Sequence, residues 1–255
     1  FEGTTVGTDR RHDFDQARTL SYLQLHGEGL GGALDSFHAS LSWHDQDETL
    51  SRVSGGGAAT SQGFEVGTLG LFAYAGSPSP LGHLTYGADF YRDAVDSFSS
   101  TQPIQGPVAD DANYDLFGAF VQDEIDVSER TTLTLGGRFN HAAVDADSVF
   151  DPVTSTQTTL EDDWSAFAGS ARFLHRLKED ALHLFGGISQ GFRAPNLSDL
   201  TRLDSARSNE FEIPSPGLDP EYTTNYELGL KGQSGRTVSQ LSVFYTDVRD
   251  LILRR

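Results

Sequence analysis

The side chains in this chain that could do chemistry are eight histidines, a large surplus of carboxylates and a few isolated cations. The histidines are scattered. His38 and His44 would share one face of a single strand without being adjacent, and no spacing of Asp, Glu and His matches a metal site. The ordinary role of such residues is plain polar lining. There is no GxSxG elbow, phosphate loop or dinucleotide fingerprint, and GSPSP and SGGGA read as turn and loop. The chain is therefore not expected to be an enzyme or to carry a cofactor or metal.

The carboxylates concentrate in two stretches. Asp145, Asp147, Asp151, Glu161 and Asp162 lie in one; Asp199, Asp204, Glu210, Glu212, Asp219 and Glu221 lie in the other. They read as solvated loops, bridged to an outer surface by divalent cations. The alternative role is attraction of a cationic ligand. With 18 Lys+Arg against 37 Asp+Glu, the formal net charge is −19, which argues against nucleic acid as a partner.

The elements that must position these groups are strands. Hydrophobic residues make up 37% of the chain, below the roughly 45–50% of soluble domains. A lipid-facing barrel needs less aliphatic core, because one face of each strand meets lipid and the other meets water. Cysteine is absent, which excludes disulfides and thiolate metal sites. No apolar run reaches the roughly 18 residues of a transmembrane helix. The chain begins at Phe1, contains no Met and shows no signal-peptide pattern, so it is expected to be a segment of something longer.

Period-2 alternation recurs in segments of about ten residues. Candidate strands lie near Arg18–His26, Asp35–Asp45, Gly63–Ala75, Gly82–Arg92, Asn113–Ile125, Thr131–His141, Asp163–Arg176, Ala181–Phe192, Tyr222–Lys231 and Thr237–Val248. In the second, Phe37, Ala39, Leu41 and Trp43 oppose His38, Ser40, Ser42 and His44. In the fourth, Leu84, Tyr86, Ala88 and Phe90 share a face. In the sixth, Leu133, Leu135, Gly137 and Phe139 oppose Thr132, Thr134, Arg138 and Asn140. In the ninth, Tyr226, Leu228 and Leu230 oppose Asn225, Glu227 and Lys231. The third, fifth and seventh carry apolar residues on both faces, and their phase stays open. Leu133, Leu135 and Phe139 are expected to face lipid. Arg138, Glu227 and Lys231 are expected to face the lumen, in a salt-bridge network that steadies the wall or contacts a plug. Trp43, Tyr91, Trp164, Tyr222 and Tyr245 fit interfacial girdles.

The connections alternate in length. Gly27–Leu34, Gly76–Leu81, Asp126–Arg130, Leu177–Asp180 and Gly232–Arg236 are short; His44–Gln62, Asp93–Ala112, Ala142–Asp162 and Arg193–Glu221 are long. In a meander every second connection lies at the same end, so one end has tight turns and the other long loops. Outer-membrane barrels share that asymmetry. The fold expected is all-β, an antiparallel up-and-down transmembrane barrel with about ten strands present.

These residues resemble the TonB-dependent outer-membrane receptors. LFGAFVQDEIDVSERTTLTLGGRFNH (Leu116–His141) resembles the hairpin in which a strand ending QDE returns through LTLGxR. LTYGADFYRDAVDS (Leu84–Ser97) resembles another recurring strand. SQGFRAPNLSDL (Ser189–Leu200) is similar to the segment where a strand rises into a loop, and LDPEYTTNYELGLKG (Leu218–Gly232) with SVFYTDVRDLI (Ser242–Ile252) to the hairpin after it.

The resemblance implies the middle and later part of a 22-stranded barrel, with residues 1–255 as one barrel segment and no plug domain. It implies the bacterial outer membrane with its lipid, a small scarce nutrient as ligand, and an energy-coupling protein engaged through an N-terminal region not found here. It places ligand capture on the rim loop, at Arg193, Asn196, Asp199, Arg202 and Arg207. FRAP (Phe192–Pro195) followed by SPGL (Ser215–Leu218) is similar to paired boxes of the family's haem receptors, but Asn196–Pro214 lacks the histidine those carry. Against that reading, Arg193 is a strand-end rim residue and Pro195 simply ends the ladder. The rival functions are a passive porin and an extracellular β-sandwich or adhesin.

Overall fold

A computed structural model describes residues 9–178, 181–205 and 211–253. Ten strands form one antiparallel sheet. They are β1 (Arg11–Gly27), β2 (Ser36–Val53), β3 (Ala59–Pro78), β4 (Gly82–Ser99), β5 (Asp110–Ser128), β6 (Thr131–Asp151), β7 (Thr156–Lys178), β8 (Leu182–Arg193), β9 (Glu221–Ser234) and β10 (Thr237–Arg249). Each pairs only with its sequence neighbours, as a meander requires. The outer edges of β1 and β10 are unpaired among the described residues, so the strands form an open wall. The β8–β9 connection holds the five-residue helix α1 (Leu197–Thr201) and a two-residue ladder, Asp204–Ser205 with Phe211–Glu212.

Directly opposed residues of an antiparallel pair share a face, so the register carries the phase of one strand across the sheet. Leu41 pairs with Leu71, Leu71 with Phe90, and Phe90 with Phe117. Farther along, Leu135 pairs with Ala171, Ala171 with Ile188, and Ile188 with Tyr226. The apolar residues of β2, β4, β6 and β9 therefore all point to one side. Arg138, Glu227 and Lys231 point to the other. The register also fixes the three open phases: Leu69 and Leu71 of β3, Phe117 and Val121 of β5, and Phe167 and Phe173 of β7 all face outward.

Phe167 is 82% exposed and Leu241 73%. Large apolar groups in a continuous exposed belt require lipid as their neighbour. Two expected girdle residues do not belong to it. Tyr91 pairs with Gly70 on the inner face, and Trp164 pairs with Ala142 and is buried there. Trp43, Tyr222 and Tyr245 do face outward. Strands β4 and β7 carry aromatics on both faces, so composition alone cannot assign them.

Two of the expected long loops are mainly strand, and a third, Asp93–Ala112, is half strand. The bends between β2 and β3, β4 and β5, and β6 and β7 span only residues 54–58, 100–109 and 152–155. A tilted membrane strand needs about 9–11 residues, whereas β2 to β7 run from 18 to 23. Their surplus stands beyond the belt at the loop end. There the outer face turns acidic, with Asp45 and Asp47 on β2, Glu65 on β3, Asp145 on β6 and Asp163 on β7. Arg92 holds Asp115 at the belt's edge through two hydrogen bonds of 2.7 and 2.5 Å. On these extensions the apolar residues Val95, Ala112, Val144 and Leu160 face inward and the outer face is polar, the reverse of the lipid belt. At the other end the turns are tight. Gly235 of the β9–β10 turn adopts φ +57°, the left-handed backbone that a two-residue hairpin requires.

Candidate functional site

The inner face of the wall carries charge at mid-height and a packed cap at the loop end. At mid-height Arg138 reaches across β5 to Asp89 with hydrogen bonds of 2.8 and 2.9 Å, and its Nε donates to Asn140 Oδ1 at 2.7 Å. The strand between them contributes Gly118, where a Cβ would collide with the guanidinium. Two parallel N–H donors to one carboxylate make a directional, charge-assisted pair. Glu227 and Lys231 lie on the same face and form no ion pair among the described residues.

The β8–β9 connection folds inward over the extensions of β4 to β7. Leu200 and Thr201 are fully buried, and Leu197 and Ala194 nearly so. They pack with Val95, Ala112, Tyr114, Val144, Leu160 and Trp164 into the main buried apolar cluster. The acidic stretch Asp199–Glu221 is therefore not a wholly solvated loop. Its first turn is core, because strand residues that stand clear of lipid still present apolar groups inward and need cover.

Polar groups fix the cap's position. Gln105, from the β4–β5 bend, is 1% exposed. Its Nε2 donates to the Thr201 carbonyl at 2.8 Å, and its Oε1 accepts from Phe150 N at 2.7 Å. Thr201 Oγ1 accepts from Ala109 N at 2.9 Å and donates to the Leu197 carbonyl at 2.7 Å. Tyr114 Oη donates to the Pro195 carbonyl at 2.8 Å. One amide and one hydroxyl thus tie the β4–β5 bend to the cap and to the end of β6. Burial, and then the nearby Asp199 carboxylate, push the Tyr114 phenol up to about 12, so it remains a donor at neutral pH. Neither Gln105 nor Thr201 carries any sequence signal that marks it out.

The expected rim residues divide into a clasp and a lining. Arg193 donates to both oxygens of Glu221 at 2.8 Å each, and to Asp199 Oδ2 at 2.7 Å. Asn196 and Asp199 form a reciprocal capping box at the start of α1. Arg193, Asn196 and Asp199 thus hold the two feet of the cap together. Arg202 pairs with Glu212. Arg207 lies outside the described residues. Asn196 and Arg202 also line a cavity of about 620 Å³ between the cap and the inner wall of β1 to β5. Its other walls are mostly apolar, with Glu48 and Asp93 among them.

The Arg193 hydrogen bonds, followed by one from Ile252 N, pull the Glu221 carboxyl from 4.5 down to about 2. A folded value below the unfolded one means the clasp's contribution is fully present above about pH 4.5 and is lost as pH falls through about 2. Trp164 lies beneath the cap, so in a Trp43→Phe background its emission should red-shift across that window. Glu221→Gln should abolish the titration. An unchanged titration in that variant would place the pH response elsewhere.

The family model described as TonB dependent receptor-like, beta-barrel matches residues 2–255. An iron-regulated outer membrane virulence protein of Vibrio cholerae serotype O1 is 30% identical over 140 residues, covering 54% of this chain and 19% of the relative. The Serratia marcescens hemophore receptor HasR, solved with its hemophore HasA and heme, matches with a TM-score of 0.77 at 19% identity, over 93% of this chain and 40% of that one. The copper transporter OprC gives 0.75 at 18%, over 94% and 40%. The unliganded ferric citrate transporter FecA gives 0.67 at 14%, over 94% and 35%. At these identities the solved structures share the fold. The chain spans well under half the length of each.

Proposed function

The chain belongs to the TonB-dependent receptor-like β-barrel family of the bacterial outer membrane, and from that premise we propose that it forms part of the wall and the mouth of an uptake receptor for a scarce nutrient. An iron–siderophore, haem or cobalamin is the class of cargo. The protein is a receptor and transporter, not an enzyme. Import is driven by an energy-coupling protein acting on the whole receptor, as the family name implies.

The observation that carries this reading is the cap. A passive porin works through an open lumen. Here a connection folds into the mouth, buries Leu200 and Thr201, and leaves a cavity against the wall. Pockets of a few hundred Å³ with mostly apolar walls and a few fixed polar groups are the usual form of small-molecule sites. The names of similar proteins, which concern a hemophore with heme, copper and ferric citrate, support scarce-nutrient cargo. Of the rim residues, Asn196 is a contact, Arg202 forms part of the cavity wall while matched by Glu212, and Arg193 and Asp199 hold the cap in place.

Deleting residues 199–212 from the whole receptor tests the assignment. Binding of haem, cobalamin and several ferric siderophores should be measured in detergent, with heat-modifiable gel mobility as the fold check. We expect at least a tenfold loss for the true cargo and a retained barrel, since the ladder between strands does not run through the cap. If the cargo binds unchanged after the deletion, the cap is not its capture site.

A further inference from the structure

We propose that the cavity beneath the cap selects its ligand by charge, taking a neutral or cationic, partly apolar molecule that carries hydrogen-bond donors and rejecting strongly anionic metal chelates. The inference rests on the receptor reading above and names the chemical class of the ligand at that site.

The lining sets the class. Leu50, Phe64, Val66, Val95, Leu116 and Leu197 supply the apolar wall. The charged groups among them are Glu48, Asp93 and Arg202. The cation is already matched, because Arg202 pairs with Glu212. The carboxylates are not. Asp93 Oδ1 accepts the Thr68 hydroxyl at 2.6 Å, and Glu48 accepts the Gln16 amide. Neither forms an ion pair among the described residues. Tyr114, which would otherwise offer a donor, spends its hydroxyl on the Pro195 carbonyl. The site therefore presents two carboxylates outside any ion pair, beside the neutral groups of Gln62, Asn196 and Ser198, so the unmatched charge of the lining is negative.

The wider field has the same sign. The chain's net charge is −19, and carboxylates face outward on the extensions that frame the mouth. A cleft lined by one sign raises the local concentration of the opposite sign and repels its own. A carboxylate held by a neutral hydroxyl or amide stays ready to accept a charge-assisted hydrogen bond from a ligand ammonium. A trianionic chelate would instead have to be desolvated beside two uncompensated charges.

The test uses the whole receptor in detergent and three ferric probes of similar size. One is a neutral trihydroxamate, one is the same scaffold bearing a free ammonium, and one is a trianionic tris-catecholate. Asp93→Asn and Glu48→Gln keep shape and one acceptor oxygen while removing charge, so each variant checks the other. The cationic probe should bind at least tenfold more tightly than the tris-catecholate. Each substitution should weaken the cationic probe by about tenfold and leave the neutral one within about twofold, a difference on the scale of one charge-assisted contact. Tightest binding by the tris-catecholate overturns the charge selection while leaving the receptor reading intact. So does a cationic probe that neither substitution affects. Failure of all three probes overturns the proposal, and failure of haem and cobalamin as well removes the receptor reading beneath it.

Discussion

Leu200→Ala should release the cap without unfolding the wall. Leu200 is fully buried against residues of β5 to β7. Truncating a buried leucine costs about 2–5 kcal/mol, the lost transfer energy plus a cavity. The penalty falls on a unit that depends on this contact, since α1 is far too short to be stable alone. Gln105→Leu should act in the same direction by another route. It strands the Phe150 amide and the Thr201 carbonyl, and each buried unsatisfied group costs about 1–3 kcal/mol. Hydrogen exchange on the receptor in detergent should show faster exchange at residues 197–203 and unchanged protection in β5 and β6. Val153→Ala, at a site 90% exposed, is the control. Equal loosening of cap and strands would mean the cap is not a separate unit. No change in residues 197–203 would mean that Leu200 does not hold it.

Leu135→Arg should disrupt folding into bilayers more than Thr134→Arg. Leu135 lies in the outward belt, 42% exposed to what is lipid in the membrane, and pairs with Asp123 and Ala171 on that face. Arginine facing lipid costs up to about 2–4 kcal/mol at mid-bilayer and less toward the interface, and the neighbouring Asp123 carboxylate offsets part of that cost. Thr134 faces the lumen between Glu124 and Arg172, where another cation meets water and a carboxylate. Heat-modifiable mobility across a urea series would measure both variants. Equal midpoints would reverse the assignment of faces.

The two predictions draw on different kinds of information, and the difference shows what was legible in the sequence. The belt was legible because a strand between lipid and water repeats every two residues, and that repeat is local. Leu133, Leu135 and Phe139 opposing Arg138 needed no partner strand to be seen, whereas the bond from Arg138 to Asp89 needed two strands brought together. Strand order followed from parity, and the family resemblance from strings such as QDE and LTLGGR within single hairpins.

What the sequence left undecided depended on partners distant along the chain. Tyr91 and Trp164 could point either way until the register of neighbouring strands turned them inward. The extensions past the belt reverse its pattern, apolar inward and polar outward, so the belt's alternation does not carry into them and the ladder hydrogen bonds mark them as strand. In the cap, Gln105 meets Thr201 across 96 residues, and Tyr114 meets Pro195 across 81. Arg193 and Asp199 looked like groups offered to a ligand, yet the fold brings Glu221 to Arg193 and spends both in a clasp. Residue type and spacing determined which side of the wall met lipid. Tertiary contact alone decided which polar groups were left to meet a ligand, because a hydrogen-bonding side chain is available only if nothing nearer in space has already used it.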